Sequence, residues 1–259
     1  MKSVKRPIFA IVTAVVCAGA ASAWAADASD DWRYSGTIYL WGAGIKGDMA
    51  GGANVDIGFD TLIRNLNMAF MGAFEARKSA WSWGVDVVYL DVGADEGGAV
   101  PVPIEPGSTV DVQADASVKT KGWVLNLFGA YNVARTEQAS LDVLLGVRYL
   151  NLELDFDLGL AAAQYRETRE ISTSNDAWDG VIGIRGRVNL DGRWYLPYHA
   201  DIGTGQSDFT WQAFGGVAYS FDWGDVSLAY RHIDWEFGSS SKVDNINFSG
   251  PVLAATWHF

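Results

Sequence analysis

After Ala25 this chain of 259 residues never strings together enough apolar residues for a membrane helix, yet apolar residues recur at every second position almost to its end. A helix crossing a bilayer needs about eighteen or more in a row, whereas a strand declares its two faces by alternation. The closing stretch, Asn245 to Phe259, shows this most clearly. Pro251, Leu253, Ala255, Trp257 and Phe259 fall on one side, and Gly250, Val252, Ala254, Thr256 and His258 on the other. Termini are ordinarily polar and frayed unless something holds them, so an ending in Trp-His-Phe reads as a strand locked into a sheet. A chain can span a bilayer with strands only as a closed barrel, because every backbone donor and acceptor must be paired.

Residues 1–25 read as a secretory leader. Lys2, Lys5 and Arg6 precede an apolar run from Ile8 to Ala21, and Ala23-Trp24-Ala25 supplies a small-x-small cleavage pattern. A retained anchor fits less well, because the run is short and ends in small residues. Lipidation of Cys17 lacks the small residue expected just before it. Cys17 is the only cysteine, so the mature chain holds none and disulfides play no part. Removing the three basic leader residues from 19 leaves 16 against 31 acids, a net charge near −15. That balance argues against a nucleic-acid partner, which rewards a basic surface. Aromatic residues nevertheless make up 13% of the chain, with twelve tryptophans, which is unusual for a soluble chain of low charge content.

The alternation predicts strands over approximately 33–47, 67–77, 81–92, 116–132, 139–156, 177–190, 193–204, 209–222, 225–236 and 246–259. The fold class is therefore all-β: a transmembrane antiparallel up-and-down barrel of about ten strands, rather than eight or twelve, as one domain over 26–259. Tight turns at 77–80, 133–138, 191–193 and 222–225 nearly alternate with long links at 50–66, 93–115 and 157–176. A shorter link, 238–244, takes the last such position, and 204–208 is the one short member of that set. Short turns at one end and long loops at the other are the pattern of outer-membrane barrels.

Alternation alone does not say which face points inward. The lysines of the mature chain, Lys46, Lys78, Lys119, Lys121 and Lys242, sit near strand ends or in links, whereas Arg148, Arg185, Arg187 and Arg231 fall mid-strand. A water-facing exterior normally carries mid-strand lysine; a confined interior suits arginine, whose fork pairs with several carboxylates. A lumen network of Glu75, Arg77, Asp86, Arg148, Arg185, Arg187, Asp201 and Arg231 is therefore expected. Aromatic side chains sort into two heights, as at two lipid–water interfaces. Trp83, Trp194, Tyr219 and Phe221 lie on the turn side, and Trp41, Tyr89, Trp123, Trp178 and Trp211 on the loop side. Two strands change phase: Val143, Leu145 and Val147 give way to Leu150, Leu152 and Leu154, and Val226, Leu228 and Tyr230 to Ile233, Trp235 and Phe237. A β-bulge would do this; so would a strand that has left the membrane.

Candidates for catalysis are His199, Asp201, Ser207 and Asp208, with His232 and Asp234. An i, i+2 His/Asp pair on a strand arises readily by chance, and no nucleophile elbow accompanies either one. The three dispersed histidines offer no metal site, and no cofactor is expected. Asp91, Asp95 and Glu96 could hold a hard cation only weakly. A helix-like fragment, Phe59 to Leu66, has Asp60 as a possible cap and either folds over the mouth or forms a surface turn. Val100 to Gly107, rich in proline, reads as an extended mobile loop.

The chain resembles small bacterial outer-membrane barrels of the OmpA, OmpW and opacity-protein type. It is more similar still to a set of proteobacterial barrels sharing Tyr-Leu-Pro-Tyr, then Asp-Ile-Gly-Thr-Gly, Ser-Asp and Thr-Trp-Gln within 195–212, followed by Trp-Gly-Asp-Val and Tyr-Arg-His. The resemblance implies an outer-membrane location and recognition of the last strand, with Trp257 and Phe259, by the barrel-assembly machinery; Ala254 stands where that signal often has Gly. It implies lipid and lipopolysaccharide as surroundings and a monomer. Three functions remain open. They are a structural or narrow-pore, porin-like barrel without catalysis, a surface enzyme acting on lipid or peptide, and a soluble periplasmic lipocalin-like barrel.

Overall fold

The computed structural model describes residues 31–49, 54–105, 108–162, 165–238 and 243–259. The expected leader, Cys17 and Lys242 lie outside them, and of Asp95, Glu96 and Lys119 only the backbone is described.

The strands are β1 (Arg33–Trp41), β2 (Gly44–Met49), β3 (Asn54–Ile57), β4 (Leu66–Lys78), β5 (Trp81–Glu105), β6 (Ser108–Arg135), β7 (Ala139–Ala162), β8 (Tyr165–Asn189), β9 (Trp194–Gly205), β10 (Phe209–Ser220), β11 (Gly224–Glu236) and β12 (Val243–His258). One short helix, α1 (Phe59–Arg64), stands between β3 and β4. Successive strands pair antiparallel from β4 to β12. β1 and then β2 run up the far side of β12 as one interrupted strand, and β1 also pairs with β4. The result is a closed, up-and-down barrel of ten staves. Closure is made by Ser35↔His258 through Trp41↔Val252. It is extended at the end of the chain by Tyr34 and Phe259, whose backbones exchange hydrogen bonds of 2.8 and 3.0 Å. The terminal Phe259 ring also stacks near Tyr34 and Phe74.

The mid-barrel exterior is apolar. Ile38, Phe70, Leu145, Ile182, Ile202, Leu228 and Leu253 all point away from the lumen and are exposed. A continuous surface of this kind around a barrel is what hydrocarbon covers. A soluble lipocalin-like barrel requires the reverse arrangement, with these rows inside.

Higher up, the polarity of the two faces exchanges. On β7 the outward row passes from Leu145 and Val147 to Asn151 and Glu153, while the inward row passes from Arg148 to Leu150 and Leu152. On β11, Tyr230 points out and Arg231 in; above them His232 and Asp234 point out, and Ile233 and Trp235 are fully buried within. No bulge causes this. The pairing of β7 with β8 and of β11 with β10 and β12 is unbroken through both switches. The backbone keeps its alternation, and its surroundings change from lipid to water outside. The aromatic pairs Tyr89–Trp123 at 4.4 Å and Tyr149–Trp178 at 4.5 Å, with Trp211 against His232 at 4.5 Å, sit at that height.

In the described residues, the long links expected at 93–115 and 157–176 are strands, with 106–107 and 163–164 outside those residues. β5 pairs with β6 up to Glu105↔Ser108, and β7 with β8 up to Ala162↔Tyr165. At about 3.3 Å per residue, the 25 residues of β5 carry it far beyond a membrane band roughly 25 Å tall. These tall hairpins join through β6 and β7 as high as Gln113↔Ala161. Above Val92, β5 pairs with β6 alone, so Pro101 and Pro103 lie on an edge strand where a missing N–H costs no ladder bond. In α1 the N-cap is Gly58, with no side-chain cap; Asp60 sits inside the first turn instead.

The boundary is testable along the outward row of β7. Leu145→Arg, at a position 69% exposed in the apolar belt, is expected to destabilise the vesicle-inserted protein by about 2–4 kcal/mol. Glu153→Arg, four rungs up the same row, should change stability by no more than about 0.5 kcal/mol. Urea titrations in lipid vesicles followed by tryptophan fluorescence measure both, and equal costs would contradict a boundary between them.

Candidate functional site

The interior is built from the inward rows of the staves, and its side chains form three storeys. The lowest is a chamber of about 640 Å³, which Glu75, Arg77, Asp142, Arg185, Arg187 and His199 help to line. Arg77 Nη2 donates to Asp142 at 2.6 Å and to Glu75 at 3.2 Å. Arg185 Nη2 donates to Glu75 at 2.8 Å and to Ser82 Oγ at 3.0 Å. The guanidinium of Arg187 lies over the Tyr195 ring, 5.2 Å from its centre. Near the last turn Asp225 accepts from Tyr195 at 2.8 Å and Ser220 at 2.7 Å, and its carboxylate lies 2.9 Å from His258 Nε2.

Above the chamber a single polar layer crosses the whole lumen. Arg231 donates to Asp86, to the Tyr39 hydroxyl at 3.0 Å and to Gln212 at 2.9 Å; Tyr39 also donates to Asp86. Asn126 donates to Asp86 at 3.1 Å and accepts from Arg148 Nε at 2.8 Å. Arg148 then grips both oxygens of Asp201, at 2.7 and 2.8 Å, and reaches Thr210 at 3.1 Å. Asp201 is also 2.6 Å from His199 Nε2. Arg148 is 1% exposed and Arg231 6%. At such depth a lone cation would cost several kcal/mol, so the carboxylates and amides are what permit it to remain charged.

The third storey is apolar and begins one inward rung higher. Tyr39 is followed by Trp41, Asp86 by Val88, Arg148 by Leu150 and Arg231 by Ile233; on the descending β6, Val124 stands above Asn126. With Trp235, Ile246 and Phe248 these residues make the buried apolar cluster of the molecule. The two storeys touch through cation–π contacts, Arg231 4.9 Å from the Trp41 ring and Arg148 5.8 Å from the Trp235 ring. Trp41 is therefore not an interface residue. It shares the inward row of Tyr39 and is buried, while its neighbour Leu40 is 70% exposed. Of the other interface candidates, Trp83, Trp194, Phe221, Trp123 and Trp178 are exposed on the outer face. Tyr219 pairs there with Trp194, and Tyr89 with Trp123.

Tyr39, Ser82, Asn126, Asp142, Thr210 and Gln212 are members of these networks that sequence reasoning missed. Ser82 and Asp142 share the inward rows of Asp86 and Arg148, and that parity was the available signal; Tyr39, Asn126, Thr210 and Gln212 stand on strands for which no lumen charge was expected. Of the catalytic candidates, His199 and Asp201 meet, but no hydrogen bond among the described residues joins Ser207 or Asp208 to them. The Ser207 backbone N–H donates instead to Asp179 at 2.9 Å. His232 and Asp234 face outward, 3.9 Å apart. No cluster of metal-ligating side chains occurs among the described residues. No helix among them is long and apolar enough to cross a membrane.

With this geometry in view, the chain is similar to the outer-membrane protease OmpT of Escherichia coli, with a TM-score of 0.52 at 12% identity over 91% of this chain and 99% of that one. It also matches the translocator domain of autotransporter NalP from Neisseria meningitidis (TM-score 0.44, 14% identity, 88% of each chain). A third match is the Ail protein of Yersinia pestis (TM-score 0.30, 12% identity, 88% of this chain and 98% of that one). No family model and no curated relative matches. At such identity the first likeness concerns the fold, which is that of an outer-membrane β-barrel.

If the polar layer stands on its pairings, Arg148→Met should cost about 3–5 kcal/mol, because Asp201 is left buried without its cation. Arg148→Met combined with Asp201→Leu should recover most of that loss. Urea unfolding in vesicles compares the two, and a double variant no more stable than the single would reject the pairing.

Proposed function

We propose that this chain is an integral outer-membrane barrel with a sealed lumen, structural rather than pore-forming, and without catalysis. One observation carries the reading: a polar layer spanning the interior, capped directly by buried Trp41, Leu150, Ile233, Trp235 and Phe248. An aqueous path would have to pass both, and each resists water differently. The layer has its hydrogen-bonding groups largely spent on one another, and the cluster above offers water only the indole N–H groups of Trp41 and Trp235. The nearly closed interior of a narrow barrel also fits the expectation that side chains can fill such a lumen.

The histidine pairs support an absence of catalysis in specific ways. Asp201, the acid beside His199, is committed through both oxygens to Arg148. His232 points outward and packs against the Trp211 ring. The exported chain would be inserted through its last strand, with Trp257 and Phe259 read by the assembly machinery, and would stand as a monomer in lipid and lipopolysaccharide. The lower chamber then faces the periplasm, because the tight turns and both strand termini lie at that end.

Folded protein in planar phospholipid bilayers should give no single-channel steps at either polarity. Reproducible unitary conductance from the unaltered chain would overturn the sealed reading.

A further inference from the structure

The barrel wall is not uniformly closed. β1 and β4 are hydrogen-bonded from Arg33↔Arg77 to Ile38↔Gly72, and there their ladder stops. Above that point β1 and β2 keep to β12, β2 pairs with β3, and β4 pairs only with β5. The wall therefore divides upward as a V. Its apex lies inside the apolar belt, where Ile38, Leu40, Met68 and Phe70 are all well exposed. Three residues above, the Trp41 N–H finds the thioether of Met71, at 3.2 Å, instead of a carbonyl. Sulfur is a weak acceptor, and an unpaired strand edge in hydrocarbon is costly, so a split at this height needs a reason.

The split opens into an apolar cavity of about 140 Å³. Its lining passes from the belt residues Leu40 and Leu66 inward to Met71, Val88, Val124 and Leu150, and Phe59 and Ile63 of α1 border the mouth. The helix packs close to the backbone at Gly42. A Cβ at Gly42 would lie 3.4 Å from both the Phe59 ring and Pro251. The polar layer closes the cavity from beneath. Its mouth is continuous with the lipid-facing belt, so an occupant arrives sideways from the bilayer.

We propose that this lateral opening admits the end of one acyl chain of an outer-leaflet lipid into the upper lumen. The chemistry fits: the walls are aliphatic and aromatic, and their size is close to the ~150 Å³ apolar cavity that stays dry and binds benzene. That is room for a hydrocarbon tail and not for a headgroup. The inference rests on the membrane reading above, and its test separates the two.

The protein is reconstituted in phosphatidylcholine vesicles doped with a phosphatidylcholine bearing a diazirine on its acyl chain, irradiated, and mapped by peptide mass spectrometry. Adducts are expected on belt residues such as Leu145 and Leu228 and also on inward residues such as Val88 and Leu150. Val124→Phe, which fills the cavity, and Ala69→Phe, which narrows its mouth, should each lose the inward adducts and keep those on the belt. Adducts confined to the belt, or inward adducts that persist in both variants, would overturn the lateral opening and leave the membrane reading intact. Adducts on neither surface would overturn both.

Discussion

Everything in this molecule depends on the pairing of the last strand with the first. Hydrocarbon offers backbone N–H and C=O groups nothing to bind, so every open edge of a sheet inside it is costly. β12 accepts that role along its whole length, holding β11 on one side and β1 followed by β2 on the other. The last backbone hydrogen bonds of this closure are exchanged between Phe259 and Tyr34.

Closure creates the problem that the interior then solves. Apolar side chains must face out, which turns the other half of every strand inward, and those rows bring charges with them. A buried ion pair is often no more stabilising than a well-packed apolar replacement, so the lumen charges are poor candidates for a source of stability. Their connectivity is more informative. Asp86 is shared by Tyr39, Asn126 and Arg231, and Asp201 by His199 and Arg148. Asn126 links the two acids, and side chains from seven staves converge on one level. Such a layer holds its staves in register with one another across the lumen as well as along the ladder.

Much of this was legible in the sequence, and the reasons differ by element. A side-chain period of two makes the strands and their faces readable wherever the exterior is lipid, as from Val143 to Val147 or Leu228 to Tyr230. Above the belt the requirement for an apolar exterior lapses. The stretches 93–115 and 157–176 then look like loops, although their described residues continue the strand ladders and are joined through β6 and β7. The phase changes on β7 and β11 could be seen but not interpreted, since a bulge and a change of solvent write the same pattern. Trp41 was misread because height alone assigned it to an interface, whereas its row places it beside Tyr39. Which inward groups meet was not legible, because that depends on which staves face each other across the lumen.

The exchange of polarity on successive rungs has a mechanical consequence. Sinking the barrel by one rung would bring His232 and Asn151 toward acyl chains, and raising it would lift Tyr149 and Tyr230 out of the belt. Vertical position is thereby pinned from both directions. Where local hydrocarbon thickness differs from the belt, the lipid rather than the protein has to yield, by thinning or thickening around it. The molecule acts as a fixed gauge of membrane depth.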